Sequence, residues 1–249
     1  MENTNTDAKI LAIVEWTHDY LNSFGGKTKA VIGISGGKDS SVAAAVCVQA
    51  VGKERVIGVM MPNGSQHDLD KAEELCSFLG IKSYLINIKD ITKENNLLIM
   101  EAFGKAPAYA MSSNMPARVR MTMLYNVAAM VGDARVVNTC NRSEDYVGYS
   151  TKFGDAAGDF SPLSNLTVRE VKALGRALGL PADLVDKVPE DGLSGKTDED
   201  NLGFTYDELD DYLLLGKKPE QAKLDKIERM HALGLHKLLP MPKFEKESV

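Results

Sequence analysis

The apolar residues of this chain follow two spacings that alternate along the sequence. Short runs rich in valine and isoleucine, such as KAVIGI and RVIGVMM, are typical of strands that are buried on both faces. Longer segments carry apolar residues every three or four positions, which indicates helices. The predicted strands are 29–34, 55–61, 83–88 and 134–139. The predicted helices are 8–24, 40–51, 69–79, 91–103 and 114–131, with a further helix from Pro219 that ends before Pro240.

This alternation predicts βαβ units joined by right-handed crossovers. We therefore expect an α/β fold, a doubly wound parallel sheet with helices on both faces. Two polar stretches, 149–161 and 186–201, interrupt the pattern without any periodicity of their own. Polar loops of this length inside an α/β domain usually have a function, so we expect these two loops to border a functional site.

Length, charge and cysteine content narrow the class of protein. The 249 residues are expected to form a single domain, 1–249, and the net charge of −6 argues against a nucleic-acid or acidic-membrane partner. No segment approaches the roughly 18 apolar residues of a membrane-spanning helix, and the N-terminus lacks the apolar core of a secretory signal. The three cysteines are far apart, which indicates buried reduced thiols and a cytoplasmic location.

The segment GISGGKDSS at 33–41 carries the clearest chemical signal. It lies between the first predicted strand and its helix, where open parallel sheets bind ligands. Its glycines let the backbone approach an anion, and its serines and the helix N-terminus offer donors. A tight strand–helix turn would not account for the clustered serines. The candidate ATP-binding residues here are Gly33, Ile34, Ser35, Gly36, Gly37, Lys38, Asp39 and Ser40.

Asp39 distinguishes this loop from other phosphate loops. A Walker A motif has serine or threonine after its lysine, whereas Lys38 is followed by Asp39. An acid inside a phosphate cradle repels the anion unless a divalent cation lies between them. Asp39 therefore implies Mg²⁺.

The loop resembles the SGGxDS loop of the N-type ATP pyrophosphatases, whose fold is adenine nucleotide alpha hydrolase-like. Later motifs resemble those of one branch, the NAD synthetase family, and stand in that family's order. They are NMPARVRM at 114–121, NTCNRSE at 138–144, GYSTKFGD at 148–155, DFSPL at 159–163, TDE at 197–199, YDELDDYL at 206–213 and HK at 236–237.

The resemblance implies a reaction and its participants. Nicotinic acid adenine dinucleotide (deamido-NAD), ATP and ammonia would give NAD, AMP and pyrophosphate through an acyl-adenylate. Mg²⁺ would be the cofactor and ATP a co-substrate, and a homodimer is expected. Because none of the three cysteines lies in a segment resembling a glutamine amidase, we expect free ammonia to be the nitrogen donor.

The resemblance also assigns roles to individual residues. It makes Asp39 and Glu144 the metal ligands and Thr139 an ATP contact. The residues assigned to deamido-NAD are Arg118, Lys152, Asp159, His236 and Lys237. Asp155 is the candidate for holding ammonium and taking its proton, since neutral ammonia is the nucleophile. Asp39 and Asp155 are thus the candidate catalytic residues.

Some residues in these motifs have plainer interpretations. Glu144 could be a solvated helix charge, Asp155 could cap the following turn, and Arg120 could be a surface charge or part of a subunit contact. A tRNA-thiolating relative, a non-enzymatic nucleotide-binding module and a relative with altered substrate are the competing functions. The scattered cysteines and the negative charge weigh against the first of these.

Three positions depart from the family pattern. Asn138 stands where a glycine is usual, which hints at a different strand end. Val168 stands where an ATP-binding lysine is frequent, so Arg169 or Lys196 is expected to replace that charge. Glu190 stands where a serine or threonine commonly contacts ATP.

Overall fold

The computed structural model describes residues 2–65, 68–186 and 197–244. Within these ranges the sheet consists of β1 (Lys29–Gly33), β2 (Val56–Met60), β3 (Lys82–Leu85) and β4 (Ala134–Val136). All pairings are parallel, in the order β3-β2-β1-β4. The strand order reverses at β1, so the carboxyl ends of β1 and β4 flank a topological switch point, where open α/β sheets bind ligands. The predicted doubly wound parallel sheet is confirmed.

The strands end earlier than the apolar pattern predicts. Single hydrogen bonds continue the ladder for one residue, as when Ile34 N donates to Val59 O and Val137 N donates to Val31 O, both at 2.9 Å. Beyond those residues the chain turns away from the sheet. The segments after β1 and β4 therefore form loops at the switch point.

Helices cover both faces of the sheet and extend past its edge. They are α1 (Glu2–Asn22), α2 (Lys38–Val51), α3 (Leu69–Leu79), α4 (Lys89–Phe103), α5 (Tyr109–Val131), α6 (Arg142–Tyr146), α7 (Val168–Ala177), α8 (Ala182–Val185), α9 (Asp198–Leu202), α10 (Tyr206–Leu215) and α11 (Gln221–Leu238), with a 3₁₀ turn at Lys53–Arg55. Helix α5 begins at Tyr109 rather than at the predicted 114, so Pro116 lies inside it. Proline removes only one backbone donor, and residues 109–113 contain no glycine or proline that would stop the helix.

Alternate residues of β1 point into different cores. Ile32 packs with Leu21 of α1 and Val42 of α2, whereas Val31 packs with Leu124 of α5. Burial on both sides explains why β1 is continuously apolar. A third cluster joins the end of α6 to α10 and α11 through Val147, Leu209 and Ile227. In the described part of the chain, no helix is long and apolar enough to cross a membrane.

Candidate active site

The phosphate loop is folded onto itself at the start of α2. Gly36 has φ +83°, and a Cβ atom there would lie 2.8 Å from the backbone oxygen of Asp68, so only glycine fits. Ser40 Oγ donates to Gly37 O at 3.1 Å, and Gly37 N donates to Ser35 Oγ at 3.2 Å. Gly37 provides no side-chain cap for α2, which leaves the first N–H groups of that helix for an anion.

Two acids converge beside this loop, one on the helix that follows β1 and one on the helix that follows β4. Asp39 lies in the first turn of α2, and Glu144 lies in α6, which follows β4. The ammonium group of buried Lys38 is 2.7 Å from Asp39 Oδ2 and 3.7 Å from Glu144 Oε1. Burial, with the neighbouring charge of Asp39, raises the pKa of Glu144 to about 8. The side chain of Glu144 is only 16% exposed and faces Lys38, so its alternative interpretation as a solvated helix charge is wrong.

Asn141 holds the two acids together, and the sequence analysis missed it. Its Nδ2 donates to Asp39 Oδ1 at 3.0 Å, while its own Oδ1 accepts hydrogen bonds from the backbone N–H groups of Ser143 and Glu144, each at 3.0 Å. Asn141 is therefore the N-cap of α6. An asparagine directly before a short helix is a recognisable cap signal.

Among the described residues, no group of three or more histidine, cysteine, aspartate or glutamate side chains is arranged as a metal site. Asp39 and Glu144 at the switch point are therefore a pair of acids and not part of a larger group of possible metal ligands. A pair of carboxylates is nevertheless the protein contribution typical of a magnesium ion that is also bound by substrate phosphates.

Asp155 lies in a turn beside the end of β4. Its exposed carboxylate accepts a hydrogen bond from Thr151 N at 3.0 Å, four residues earlier, so it caps the preceding turn and not the following one. The backbone oxygen of Asp155 accepts from Asn138 Nδ2 at 2.8 Å. Thr139, which is half-buried, follows Asn138 directly at the same strand end.

Four of the predicted dinucleotide residues meet where α11 packs on the segment after α6. Arg118 Nε donates to Lys152 O at 3.3 Å, and Lys152 Nζ donates to His236 O at 2.5 Å. Lys237 Nζ donates to the backbone oxygens of residues 148 and 150, each at 2.7 Å. The result is a cationic group assembled from three separate segments.

Two glycines allow this close approach of α11. A Cβ atom on Gly148, which has φ +64°, would lie 2.6 Å from Gly234 Cα, and one on Gly234 would lie 2.7 Å from Gly148 Cα. Neither position accepts a side chain without moving the helix. The glycine pair therefore fixes where His236 and Lys237 stand.

Asp159 belongs to a different network from the other four. Its Oδ2 accepts from Val136 N at 2.7 Å and its Oδ1 accepts from the hydroxyl of Tyr125 at 3.3 Å. The hydroxyl of Tyr20 donates to its backbone oxygen at 3.0 Å. Both tyrosines were missed, because nothing in the sequence links positions on α1, α5 and the strand end.

The departures from the family pattern have structural outcomes. Val168 is buried in the third cluster. Arg169 pairs with Asp211 at 2.8 Å on α10, so its charge is directed at that helix. Arg120 is half-buried and donates from Nε to Met61 O at 3.0 Å, so it is not a surface charge. Lys196 and Glu190 lie outside the described residues.

Comparison with known proteins decides the family. The sequence profile of the NAD synthase family matches residues 9–246. The chain belongs to the NAD synthase family. The reaction predicted from the sequence is the one known for this family of enzymes, so the predicted enzyme class is confirmed.

Individual relatives are similar over most of the chain. The NH(3)-dependent NAD(+) synthetase of Methanocaldococcus jannaschii is 41% identical over 201 residues, covering 77% of this chain and 75% of that protein. The structure of NMN synthetase from Francisella tularensis matches with a TM-score of 0.85 and 34% identity, covering 96% of this chain and 99% of that one. NAD+ synthetase from Burkholderia pseudomallei matches with a TM-score of 0.76 and 29% identity, covering 93% and 89%.

Proposed function

We propose that this chain is an ammonia-dependent NAD synthetase whose single domain performs both half-reactions at the switch point. Deamido-NAD, ATP and ammonia give NAD, AMP and pyrophosphate. The observation that carries the proposal is the convergence of the SGGKDS loop, Asp39 and Glu144 at the ends of β1 and β4. A phosphate cradle that contains two acids suits ATP bound together with a divalent cation.

In the first half-reaction the carboxylate of deamido-NAD attacks the α-phosphorus of ATP, and the bond to pyrophosphate breaks. The N–H groups at the start of α2 and the serine hydroxyls of the loop hold the departing phosphates. Arg118, Lys152, His236 and Lys237 hold the dinucleotide, whose pyrophosphate and carboxylate are anionic. Thr139 borders the nucleotide from the β4 side. These residues place the two substrates in line.

Mg²⁺ fits the acids that the fold supplies. Asp39 and Glu144 bring two carboxylates to one place, and the raised pKa of Glu144 reflects charge repulsion by Asp39 as well as burial. Both acids would hold the ion, which when bound neutralises the phosphate charge that develops as pyrophosphate leaves. Asn141 orients Asp39 for this role through its bond to Oδ1.

In the second half-reaction ammonia attacks the acyl carbon and the bond to AMP breaks. Ammonium must first lose one proton, and the attacking nitrogen loses another as the amide forms. The exposed carboxylate of Asp155 holds ammonium and accepts the first proton. The amide product keeps the nitrogen, AMP leaves with the former carboxylate oxygen, and the second proton passes to the phosphate of departing AMP and on to solvent.

Free ammonia is the nitrogen donor in this proposal. The relative from M. jannaschii, named above as NH(3)-dependent, supports it. Cys47, Cys76 and Cys140 are all buried, and burial raises the pKa of each thiol, whereas an amidase nucleophile needs an accessible thiolate. Free buried thiols also agree with a cytoplasmic location.

A homodimer is part of the proposal. Helices α4 and α5 leave large apolar side chains exposed, including Leu98 at 56%, Phe103 at 68% and Met130 at 87%. An exposed apolar surface of this kind suits a second copy of the chain. Sedimentation equilibrium tests it, and a monomer at all accessible concentrations would contradict it.

The deciding experiment supplies the purified chain with ATP, Mg²⁺ and deamido-NAD, and compares ammonium chloride with ammonia-free glutamine. We expect NAD, AMP and pyrophosphate in equal amounts from ammonium and no NAD from glutamine. Efficient NAD formation from glutamine would refute the donor assignment. Absence of pyrophosphate release under both conditions would refute the reaction.

A second candidate substrate is the mononucleotide, nicotinic acid mononucleotide. The match to NMN synthetase favours it, since its TM-score of 0.85 exceeds the 0.76 of the B. pseudomallei NAD+ synthetase. The chemistry at the carboxylate is identical, so only the contacts to the AMP half distinguish the two substrates. Comparing kcat/KM for both acids decides, and a preference of about tenfold or more for the mononucleotide would replace the first candidate.

A further inference from the structure

Asn138 organises the loop that carries Asp155. It is 7% exposed and lies two residues beyond the end of β4. Its Nδ2 donates to the backbone oxygens of Asp155 at 2.8 Å and Ala157 at 3.0 Å. Its Oδ1 accepts from Cys140 N and from Ser161 Oγ, each at 2.9 Å. The full hydrogen-bonding capacity of the amide is therefore used.

The loop is closely fitted around this residue. Asn138 N donates to Phe160 O at 2.8 Å. A Cβ atom on Gly158 would lie 2.8 Å from Asn138 Cβ and 2.9 Å from its backbone nitrogen. Gly158 and Phe160 therefore lie directly against position 138, and the hydrogen bonds between its side-chain amide and residues 155, 157 and 161 define the path of the loop.

Asp155 is held by both neighbours of Thr139. Its backbone oxygen accepts from Asn138 Nδ2 and also from Cys140 Sγ at 3.3 Å. Its carboxylate is tied separately to Thr151 N. The strand end that borders the nucleotide thus also fixes the position of the acid assigned to ammonia.

We propose that Asn138 is a positioning residue for amidation, which sets where Asp155 stands relative to the acyl-adenylate. A glycine at this position would provide none of these side-chain bonds. The inference rests on the proposed function, in which Asp155 takes the proton of ammonium. A displacement of about 1 Å in a catalytic group can cost about 10²-fold in rate, so the loss falls on the ammonia step.

The test separates the two half-reactions in the full chain carrying Asn138→Ala. Deamido-NAD-dependent exchange of labelled pyrophosphate into ATP measures adenylation, while NAD and AMP formation measure the whole reaction. We expect NAD formation to fall about tenfold more than exchange, with AMP exceeding NAD as water consumes the adenylate. The control is Asn22→Ala, which removes an amide that accepts from Arg55 Nη1 at 2.9 Å near the amino ends of the strands. It should leave the ratio of AMP to NAD unchanged.

A matched pair at Cys140 provides an independent measurement. Cys140→Ser keeps a donor to the Asp155 oxygen and should retain the wild-type ratio, whereas Cys140→Ala removes the donor and should raise the ratio slightly. This pair decides the question if Asn138→Ala does not fold. Equal losses in exchange and NAD formation, or a lowered Tm with an unchanged ratio, would overturn the proposal. Absence of NAD formation by the wild-type chain would instead refute the proposed function.

Discussion

The start of α7 and the switch point place a glutamate in opposite electrostatic surroundings. Helices α7, α9 and α10 each start with a capping box, formed by Thr167 with Glu170, Thr197 with Asp200 and Thr205 with Glu208. The bonds of Glu170 to Lys9 and to the Thr167 N–H outweigh its partial burial and hold its pKa below the usual value. At the switch point, burial and Asp39 raise the pKa of Glu144 to about 8.

The opposite pKa shifts distinguish acids that stabilise the fold from acids that serve the chemistry. A capping carboxylate is satisfied by local N–H groups and stabilises its helix start. Glu144 is instead kept beside a like charge in a desolvated place, which costs stability unless a cation compensates. The outer helices thus support a site in which the repulsion between the two acids is offset in the free protein by the ammonium group of Lys38.

The largest expected effect is on turnover at the switch point. Asp39→Asn or Glu144→Gln removes a charge directed at the metal and phosphates, so kcat should fall about 10²–10³-fold at saturating Mg²⁺. The matched control is Glu170→Gln, which removes a capping acid and should leave kcat near wild type. Near-normal turnover in both switch-point variants would refute their metal roles.

The next effect concerns the cationic group near α11. Arg118→Ala or Lys152→Ala should raise KM for deamido-NAD about tenfold or more, because a charged contact to the dinucleotide is lost. KM for ATP should change less. Steady-state kinetics with each substrate varied in turn measures this, and the reverse pattern would mean that the two binding sites are interchanged.

Replacing Lys38 tests, without any turnover, how far its positive charge offsets the two acids of the site. In EDTA, Lys38→Met should lower the free energy of unfolding by about 1.5 kcal/mol, because the acids lose their counter-ion. Excess Mg²⁺ should restore most of that loss by taking the place of the ammonium group. Thermal unfolding with and without the metal measures it, and equal destabilisation in both conditions would contradict the idea.

The last prediction concerns the free energy of unfolding in EDTA, whose dependence on pH should have opposite signs for Glu144 and Glu170. The folded pKa of Glu144 lies above the unfolded value of about 4.3, so its contribution to stability declines as the pH rises towards about 8. The folded pKa of Glu170 is lowered, so its contribution is present above about pH 4.3 and is lost as the pH falls through the folded value. Both variants should approach wild type at low pH, where each glutamate is protonated. As the pH rises towards about 8, Glu144→Gln should become more stable than wild type, whereas Glu170→Gln should be less stable than wild type above about pH 4.3. For Glu170 the deviation should stay below about 1 kcal/mol. If the unfolding free energies of the two variants deviated from wild type in the same direction across pH, the proposed difference between the two acids would be wrong.

Local pattern predicts much of the fold and the loop at its centre. The apolar run of β1 and the glycines and serines after it depend on residues that are neighbours in sequence. Helices α7 and α10 were missed, although TVRE at 167–170 and TYDE at 205–208 carry the capping-box spacing.

What the sequence does not reveal are contacts between distant segments. Tyr20 meets Asp159, and Arg120 reaches Met61, only because helices pack on the carboxyl ends of the strands. The role of Asn138 is likewise invisible, since its partners lie up to 23 positions further on. These pairs follow from tertiary packing, and no short pattern in the sequence encodes them.

The contact between Gly148 and Gly234 gives the site an order of completion during synthesis. The sheet, the phosphate loop and both acids lie before residue 150, whereas His236 and Lys237 follow about 86 residues later. At about 5–20 residues per second, roughly 4–18 s pass on the ribosome between these stages. A nascent chain can therefore form its nucleotide cradle before it can hold the dinucleotide, which becomes possible only when α11 docks.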